Sequence, residues 1–221
     1  MNCDSVVVLS GGQDSTTCLA WRLQQGGTVH AVSFDYGQRH RVELKQAIKI
    51  AALAGVQHEV LDLRTLGQAA PSALTRSDIE VSTTGGMGGL PSTFTPGRNL
   101  VFLTLAASYA LARGAKEIVT GVCQTDYSGY PDCRQNTIIT LRNAIRLGTD
   151  VPDFEIKTPL MHLTKAQSVE LAAEIGALDL LAESHTCYEG HRPACGKCPA
   201  CVIRLRGFEQ AGIRDPLQYA V

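Results

Sequence analysis

The chain has 221 residues, and 20 Lys and Arg stand against 21 Asp and Glu, giving a net charge of −1 and a pI near 6.6. That length fits one domain with a small appendage, and that balance argues against a broad basic face for long nucleic acid. The 44% hydrophobic content suffices for a core, while no apolar run approaches the roughly 18 residues of a membrane span. The first residues are too short and acidic for a secretion signal, so a cytoplasmic protein with no membrane partner is expected.

Ser5-Val6-Val7-Val8-Leu9 is a short β-branched run and reads as a buried strand. Ser10-Gly11-Gly12-Gln13-Asp14-Ser15 follows, and Thr16 to Gln25 reads as a helix ended by Gly26-Gly27. A glycine- and hydroxyl-rich turn thus joins a strand to a helix N-terminus. Such a turn binds anions, because helix N–H groups point outward and glycines admit close approach. Ser10, Ser15, Thr16 and Thr17 add hydroxyls. The Gly-Lys-Ser/Thr ending of a Walker A motif is missing. Ser-Gly-Gly-x-Asp-Ser resembles the pyrophosphate loop of the ATP pyrophosphatase superfamily. An ordinary glycine turn is the plain alternative.

Val29 to Phe34 is a second strand, ending in Asp35-Tyr36-Gly37-Gln38-Arg39-His40. Leu44, Ala47, Ile48 and Ala51 then recur at helical spacing up to Gly55, and His58 to Leu63 is a third strand. Strands alternating with helices predict βαβ units in a doubly wound parallel sheet, with ligands outside the carboxyl ends of the strands. Residues 64–96 are rich in Gly, Ser, Thr and Pro and read as a long, partly mobile excursion, either a lid over a nucleotide or a plain loop. Pro96-Gly97-Arg98-Asn99 opens a helix to Arg113, Glu117 to Val122 is a fourth strand, Asn136 to Leu147 a helix, and Phe154 to Pro159 a fifth strand. Thr164-Lys165-Ala166-Gln167 has the form of a capping box. Lys165 in a first helical turn opposes the helix dipole unless an anion lies nearby. That position makes it a phosphate-binding candidate.

Eight cysteines are present, and four of them, Cys187, Cys195, Cys198 and Cys201, fall within fifteen residues. In a reducing compartment this spacing predicts a metal site, with zinc favoured over an iron–sulfur cluster. Four cysteine ligands leave no place for substrate, so the role would be structural, stapling residues 181–221 to an ATP-binding α/β domain at 1–180. His185 and His191 would then be supporting or surface residues. Pro199 suits the start of a terminal helix to about Ala211.

Several segments together resemble one family, the 7-cyano-7-deazaguanine synthases of queuosine biosynthesis. They are Leu9 to Cys18, Phe34 to His40, Pro96 to Asn99, Gly121-Val122, Thr125-Asp126-Tyr127-Ser128-Gly129-Tyr130-Pro131-Asp132-Cys133-Arg134, Thr158 to Lys165, and the cysteine tail. The resemblance implies an ATP-dependent ligase acting on 7-carboxy-7-deazaguanine and ammonia. It would form an adenylated carboxylate, an amide and an adenylated amide, releasing AMP and pyrophosphate at each activation. Ser10, Gly11, Gly12, Gln13, Asp14, Ser15 and Thr16 are assigned to ATP, with Asp14 acting through Mg2+ or by orienting the loop. Lys165 and Arg98 would stabilise phosphate charge, and the Phe34 backbone would read adenine. Asp126 or Asp132 would accept the deazaguanine donors, and Tyr127 or Tyr130 would stack on its ring. The resemblance also implies a homodimer without direct nucleic-acid contact. Cys3 is not a first mature residue, so no built-in glutaminase is expected and ammonia comes from solution or a partner. The rival reading is a tRNA sulfur-transfer enzyme of the same superfamily using Cys123 and Cys133.

Overall fold

Val6 and Val7 are neighbours in β1 (Ser5–Val8), and both are fully buried. Successive side chains of a strand point to opposite faces, so β1 is covered on both sides. The computed structural model describes residues 2–39, 41–82, 86–125 and 129–220. In it, five parallel strands lie in the order β3 (Gln57–Asp62), β2 (Val29–Asp35), β1, β4 (Glu117–Val119) and β5 (Glu155–Lys157). The predicted doubly wound sheet is therefore present.

The two faces separate residue by residue. Val7, Leu9, Ala31 and Val119 pack with Leu19 of α1 (Gln13–Leu23) and with Ala47 and Ile50 of α2 (Val42–Leu53). Val6, Val32, Phe34 and Ile118 pack on the other side, with Leu103 and Ala106 of the later helix Arg98–Leu111 and Ile138 of Gln135–Thr149. Burying each of the Val, Leu, Ile and Phe side chains contributes about 1.5–3 kcal/mol. The chain winds outward from β1 through β2 to β3, then returns to β4 on the other side. Between the carboxyl ends of β1 and β4 lies the switch point where open α/β sheets bind ligands.

Some boundaries differ from expectation. Helix α1 starts at Gln13, three residues before the predicted Thr16, because Gly12 is already its extended N-cap (φ −84°, ψ 170°). β4 ends at Val119 rather than Val122. The excursion at 64–96 opens with a short helix, α3 (Arg64–Ala69), that its composition hides. The other described residues of it are stitched: Ala73 N–H donates to Ser92 O at 2.9 Å, the hydroxyls of Ser72 and Thr95 lie 2.8 Å apart, and Ser92 Oγ donates to Glu80 O at 2.7 Å. Ser72, Ser92, Thr93 and Thr95 are all buried.

The helices Arg98–Leu111 and Gln135–Thr149 are α4 and α5. The capping box is formed as predicted: Gln167 N–H donates to Thr164 Oγ1 and Thr164 N–H to Gln167 Oε1, opening α6 (Lys165–Glu174). A six-residue helix, α7 (Leu178–Glu183), was too short for its periodicity to register. The last helix, α8 (Pro199–Gln210), is set off by Pro199, and its Phe208 shares a buried cluster with Ala20, Val169, Ala172 and Leu181.

Candidate active site

The loop after β1 is held by its own hydroxyls. Ser10 N–H donates to Ser15 Oγ at 3.1 Å, Gly12 N–H to Ser10 Oγ at 3.3 Å, and Ser15 Oγ to Gly12 O at 3.1 Å. Thr16 Oγ1 donates to Gly12 O at 2.8 Å. Gly11 has φ +85°, and a Cβ there would lie 2.3 Å from Glu43 O. Only glycine combines that dihedral with that closeness to α2. Gly11 and the fully buried Thr16 therefore support the loop from behind. Ser10, Gly12, Gln13, Asp14 and Ser15 line a cleft of about 420 Å³. The Gln13 side chain is buried and, among the described residues, its Nε2 and Oε1 have no hydrogen-bond partner.

Lys165 enters the cleft from the first turn of α6. Its Nζ lies 2.8 Å from Asp14 Oδ2 and 3.0 Å from Oδ1. The anion that offsets a lysine at this helix N-terminus is thus Asp14 itself. Arg98 enters from the first turn of α4. Its guanidinium lies 5.9 Å from the Tyr36 ring centroid and 5.7 Å from that of Tyr130. Burial works against its charge, but Tyr36, Tyr130, Asp132 and Cys133 outweigh that and hold it protonated. Burial pushes the Tyr36 hydroxyl up to about 12, so that ring stays neutral. Among the described residues no carboxylate reaches ion-pair distance of Arg98, which leaves a fixed cation facing the cleft.

Phe34 forms part of the wall and stacks on Phe102 with centroids 4.4 Å apart. Its carbonyl accepts from Gln38 Nε2 at 3.2 Å. Tyr130 also faces the cleft, with its hydroxyl 2.5 Å from Thr93 Oγ1. Asp132 lies behind the wall, where Oδ2 accepts the Asn99 N–H at 3.0 Å and caps α4. Asp126 and Tyr127 lie outside the described residues. Cys123 and Cys133 are both on the cleft wall: Cys123 Sγ donates to Leu163 O at 3.3 Å, and Cys133 Sγ accepts from Asn99 Nδ2 at 3.2 Å.

Glu43 is a cleft residue that the sequence reading missed. It stands four residues before the core residue Ala47, on the same face of α2. Burial pushes its carboxyl up to about 7, although Arg98 pulls the other way.

The four sulfurs of Cys187, Cys195, Cys198 and Cys201 all lie within 4.8 Å of one another and are buried. Cys195 N–H donates to Cys187 Sγ at 3.4 Å and Cys198 N–H to Cys195 Sγ at 3.3 Å. Backbone donors on sulfur and a compact thiol tetrad fit a tetrahedral metal ion. The segment also builds the cleft: Cys187, Tyr188, Pro199 and Ala200 line it. His185 fastens the two parts, its N–H donating to Gly11 O at 2.7 Å and its Nε2 lying 3.1 Å from Cys187 O.

A doubly wound parallel sheet carrying this loop at its switch point defines a nucleotide-binding α/β protein of the pyrophosphate-loop kind. Its fold is that of the NMN synthetase of Francisella tularensis, with a TM-score of 0.50 at 12% identity, over 96% of this chain and 78% of that one. Residues 4–212 match the model of the family described as queuosine biosynthesis protein QueC, and the chain belongs to that family. The 7-cyano-7-deazaguanine synthase of Chromobacterium violaceum is 57% identical over 218 residues, covering 96% of this chain and 92% of the relative. That of Laribacter hongkongensis is 56% identical over 216 residues, covering 96% and 93%.

Proposed function

We propose that the chain is a 7-cyano-7-deazaguanine synthase, an ATP-dependent carbon–nitrogen ligase that makes the nitrile from 7-carboxy-7-deazaguanine and ammonia. The names of relatives at 57% and 56% identity support the reaction. The observation that carries it in this chain is the single cleft shared by the hydroxyl loop, Lys165 and Arg98.

Carboxylate and phosphates repel one another, so the site must neutralise charge and hold both in line. The Ser10–Ser15 loop and the α1 N-terminus would cradle the β- and γ-phosphates, with Gly11 and Thr16 supporting the loop. Mg2+ would accompany ATP near Asp14. Lys165 and Arg98 would stabilise charge as the substrate carboxylate attacks the α-phosphorus and pyrophosphate leaves. Ammonia then displaces AMP to give the amide. Activation of the amide oxygen by a second ATP, followed by loss of AMP, leaves the nitrile. The backbone around Phe34 would read adenine, and Tyr130 would stack on the deazaguanine. Asp126 and Tyr127 remain the other candidates for its edge and face, whereas Asp132, behind the wall and held by the Asn99 N–H, would act only by supporting that wall.

Zinc is the metal we assign to the four cysteines, because a closed thiolate set suits an ion with no catalytic vacancy. No described helix is long and apolar enough to cross a membrane. We assign the enzyme to the cytoplasm, acting as a homodimer on small molecules, with ammonia from solution or a partner. The near-neutral charge supports the absence of a direct nucleic-acid partner.

The test is incubation with ATP, Mg2+, ammonium and 7-carboxy-7-deazaguanine, followed by mass spectrometry. AMP, pyrophosphate and a nitrile are expected. ATP turnover with an unchanged deazaguanine would overturn the reading.

A further inference from the structure

The inference deepens the proposed reaction and rests on it. Both halves of that reaction require protons to leave nitrogen. Ammonia adding to the acyl adenylate gives a C–NH3+ centre. It must lose a proton as the C–O bond breaks and AMP departs with the electron pair. In the second half the amide oxygen attacks the α-phosphorus and pyrophosphate leaves. The resulting O-adenylyl imidate becomes a nitrile only when both nitrogen protons are removed and the C–O electrons leave on AMP. The carbon keeps one oxidation level throughout, so no redox partner is needed. A base in the cleft is needed.

The carboxylates around the cleft are mostly committed. Asp14 is held by Lys165, and Asp132 is held by the Asn99 N–H. On α7, which packs against α2, Glu183 is taken by Lys49 at 2.8 Å and by Arg192 at 3.1 Å. Asp35, at the end of β2, is paired with Arg41, and on β3 Asp62 is paired with Arg64. Glu43 alone combines a place on the cleft wall with a carboxylate that, among the described residues, has neither a hydrogen bond nor an ion pair. The groups that face it are Arg98 from α4 and Tyr36 from the loop after β2.

We propose that Glu43 is the general base that takes the nitrogen protons in this cleft. A base works best when its pKa matches the working pH, and burial brings this carboxyl to about 7. Tyr36 stays neutral beside it, and Arg98 limits the upward shift, so the ionised form remains populated near neutrality. The acquired proton passes to solvent through the open side of the cleft.

The test supplies the 7-carboxamide, ATP and Mg2+ to the holoenzyme and to E43Q and E43D, from pH 5.5 to 8.5. Starting from the amide removes the ionisation of ammonium from the profile. Isotope exchange between pyrophosphate and ATP reports amide activation, and mass spectrometry reports the nitrile. We expect E43Q to keep exchange within about 3-fold and to lose nitrile formation by about 100-fold or more. The wild-type rate should rise through pH 7, E43Q should be flat, and E43D should recover part of the rate. Nitrile formation by E43Q at the wild-type rate, or exchange lost in proportion to nitrile, would overturn the role. A wild type that makes no nitrile would overturn the proposed reaction, and the inference with it.

Discussion

Lys165 Nζ bridges both carboxylate oxygens of Asp14, at 2.8 and 3.0 Å, joining the first turn of α6 to the first turn of α1. Both side chains are largely buried, so the pair is poorly screened. It holds a cation on the cleft wall while Asp14 offsets its charge. Removing the lysine alone leaves a bare carboxylate facing incoming phosphates. K165M should therefore lower kcat/KM by about 100-fold or more. The double variant K165M/D14N should recover part of the ATP affinity that K165M loses. ATP KM values for the two variants check this, and equal values would show that Asp14 does not repel the nucleotide.

Gly207 of α8 lies against that same lysine, and a Cβ there would fall 2.5 Å from Lys165 Cγ. In a helix interior, replacing glycine by alanine gains about 1 kcal/mol, whereas overpacking costs about 1–3 kcal/mol. The net runs from zero to a loss of about 2 kcal/mol, so G207A should lower thermal stability modestly at most. It should still displace Lys165 and raise the KM for ATP by about 10-fold. Thermal unfolding and steady-state kinetics on one preparation separate the two effects.

The carboxyl of Glu43 sits at about 7 in the folded chain against an ordinary 4.5. A folded state that binds a proton more tightly than the unfolded chain loses stability as the proton leaves. Glu43 therefore contributes stability below about pH 4.5, and that contribution disappears as pH rises to about 7. Solvent reaches this half-buried group, so the change should be about 1–2 kcal/mol, less than the full shift implies. Urea unfolding at pH 5 and pH 8 should show wild type losing that amount relative to E43Q. Thiolate effects are common to both proteins and cancel in the difference.

Metal removal should act on the cleft as well as on stability, because Cys187, Tyr188, Pro199 and Ala200 line it. Chelation, or C198S, should release bound metal and destabilise residues 185–204, since ligand binding energy is folding energy. ATP affinity should fall by at least about 10-fold as that wall loosens. Elemental analysis paired with nucleotide titration measures both, and unchanged ATP affinity in metal-free protein would show that the wall stands without the ion.

What could be read from the sequence was local. The strand, turn and helix around Ser10–Ser15 announce themselves by composition over a few residues, as do the capping box at Thr164 and the cysteine spacing. The start of α1 was misplaced because hydroxyls of Ser15 and Thr16 turn back to Gly12 O and draw the loop residues into the helix. The order within 64–96 was hidden because its ties, such as Ser72 to Thr95, join residues 23 apart. Glu43 escaped notice because its setting is made by Arg98 and Tyr36, which reach it only across the fold. The cysteine spacing predicts a staple, but the segment's place in the cleft wall depends on the His185 contact with Gly11, which no spacing rule encodes.

That contact has a consequence for biosynthesis. The loop at 10–15 is made early, but one part of its cleft wall is supplied by residues 185–204. A chain emerging from the ribosome would carry the loop residues for most of its synthesis while that part of the wall was still missing. The cleft would be complete only once the cysteine segment and the His185 contact with Gly11 are in place.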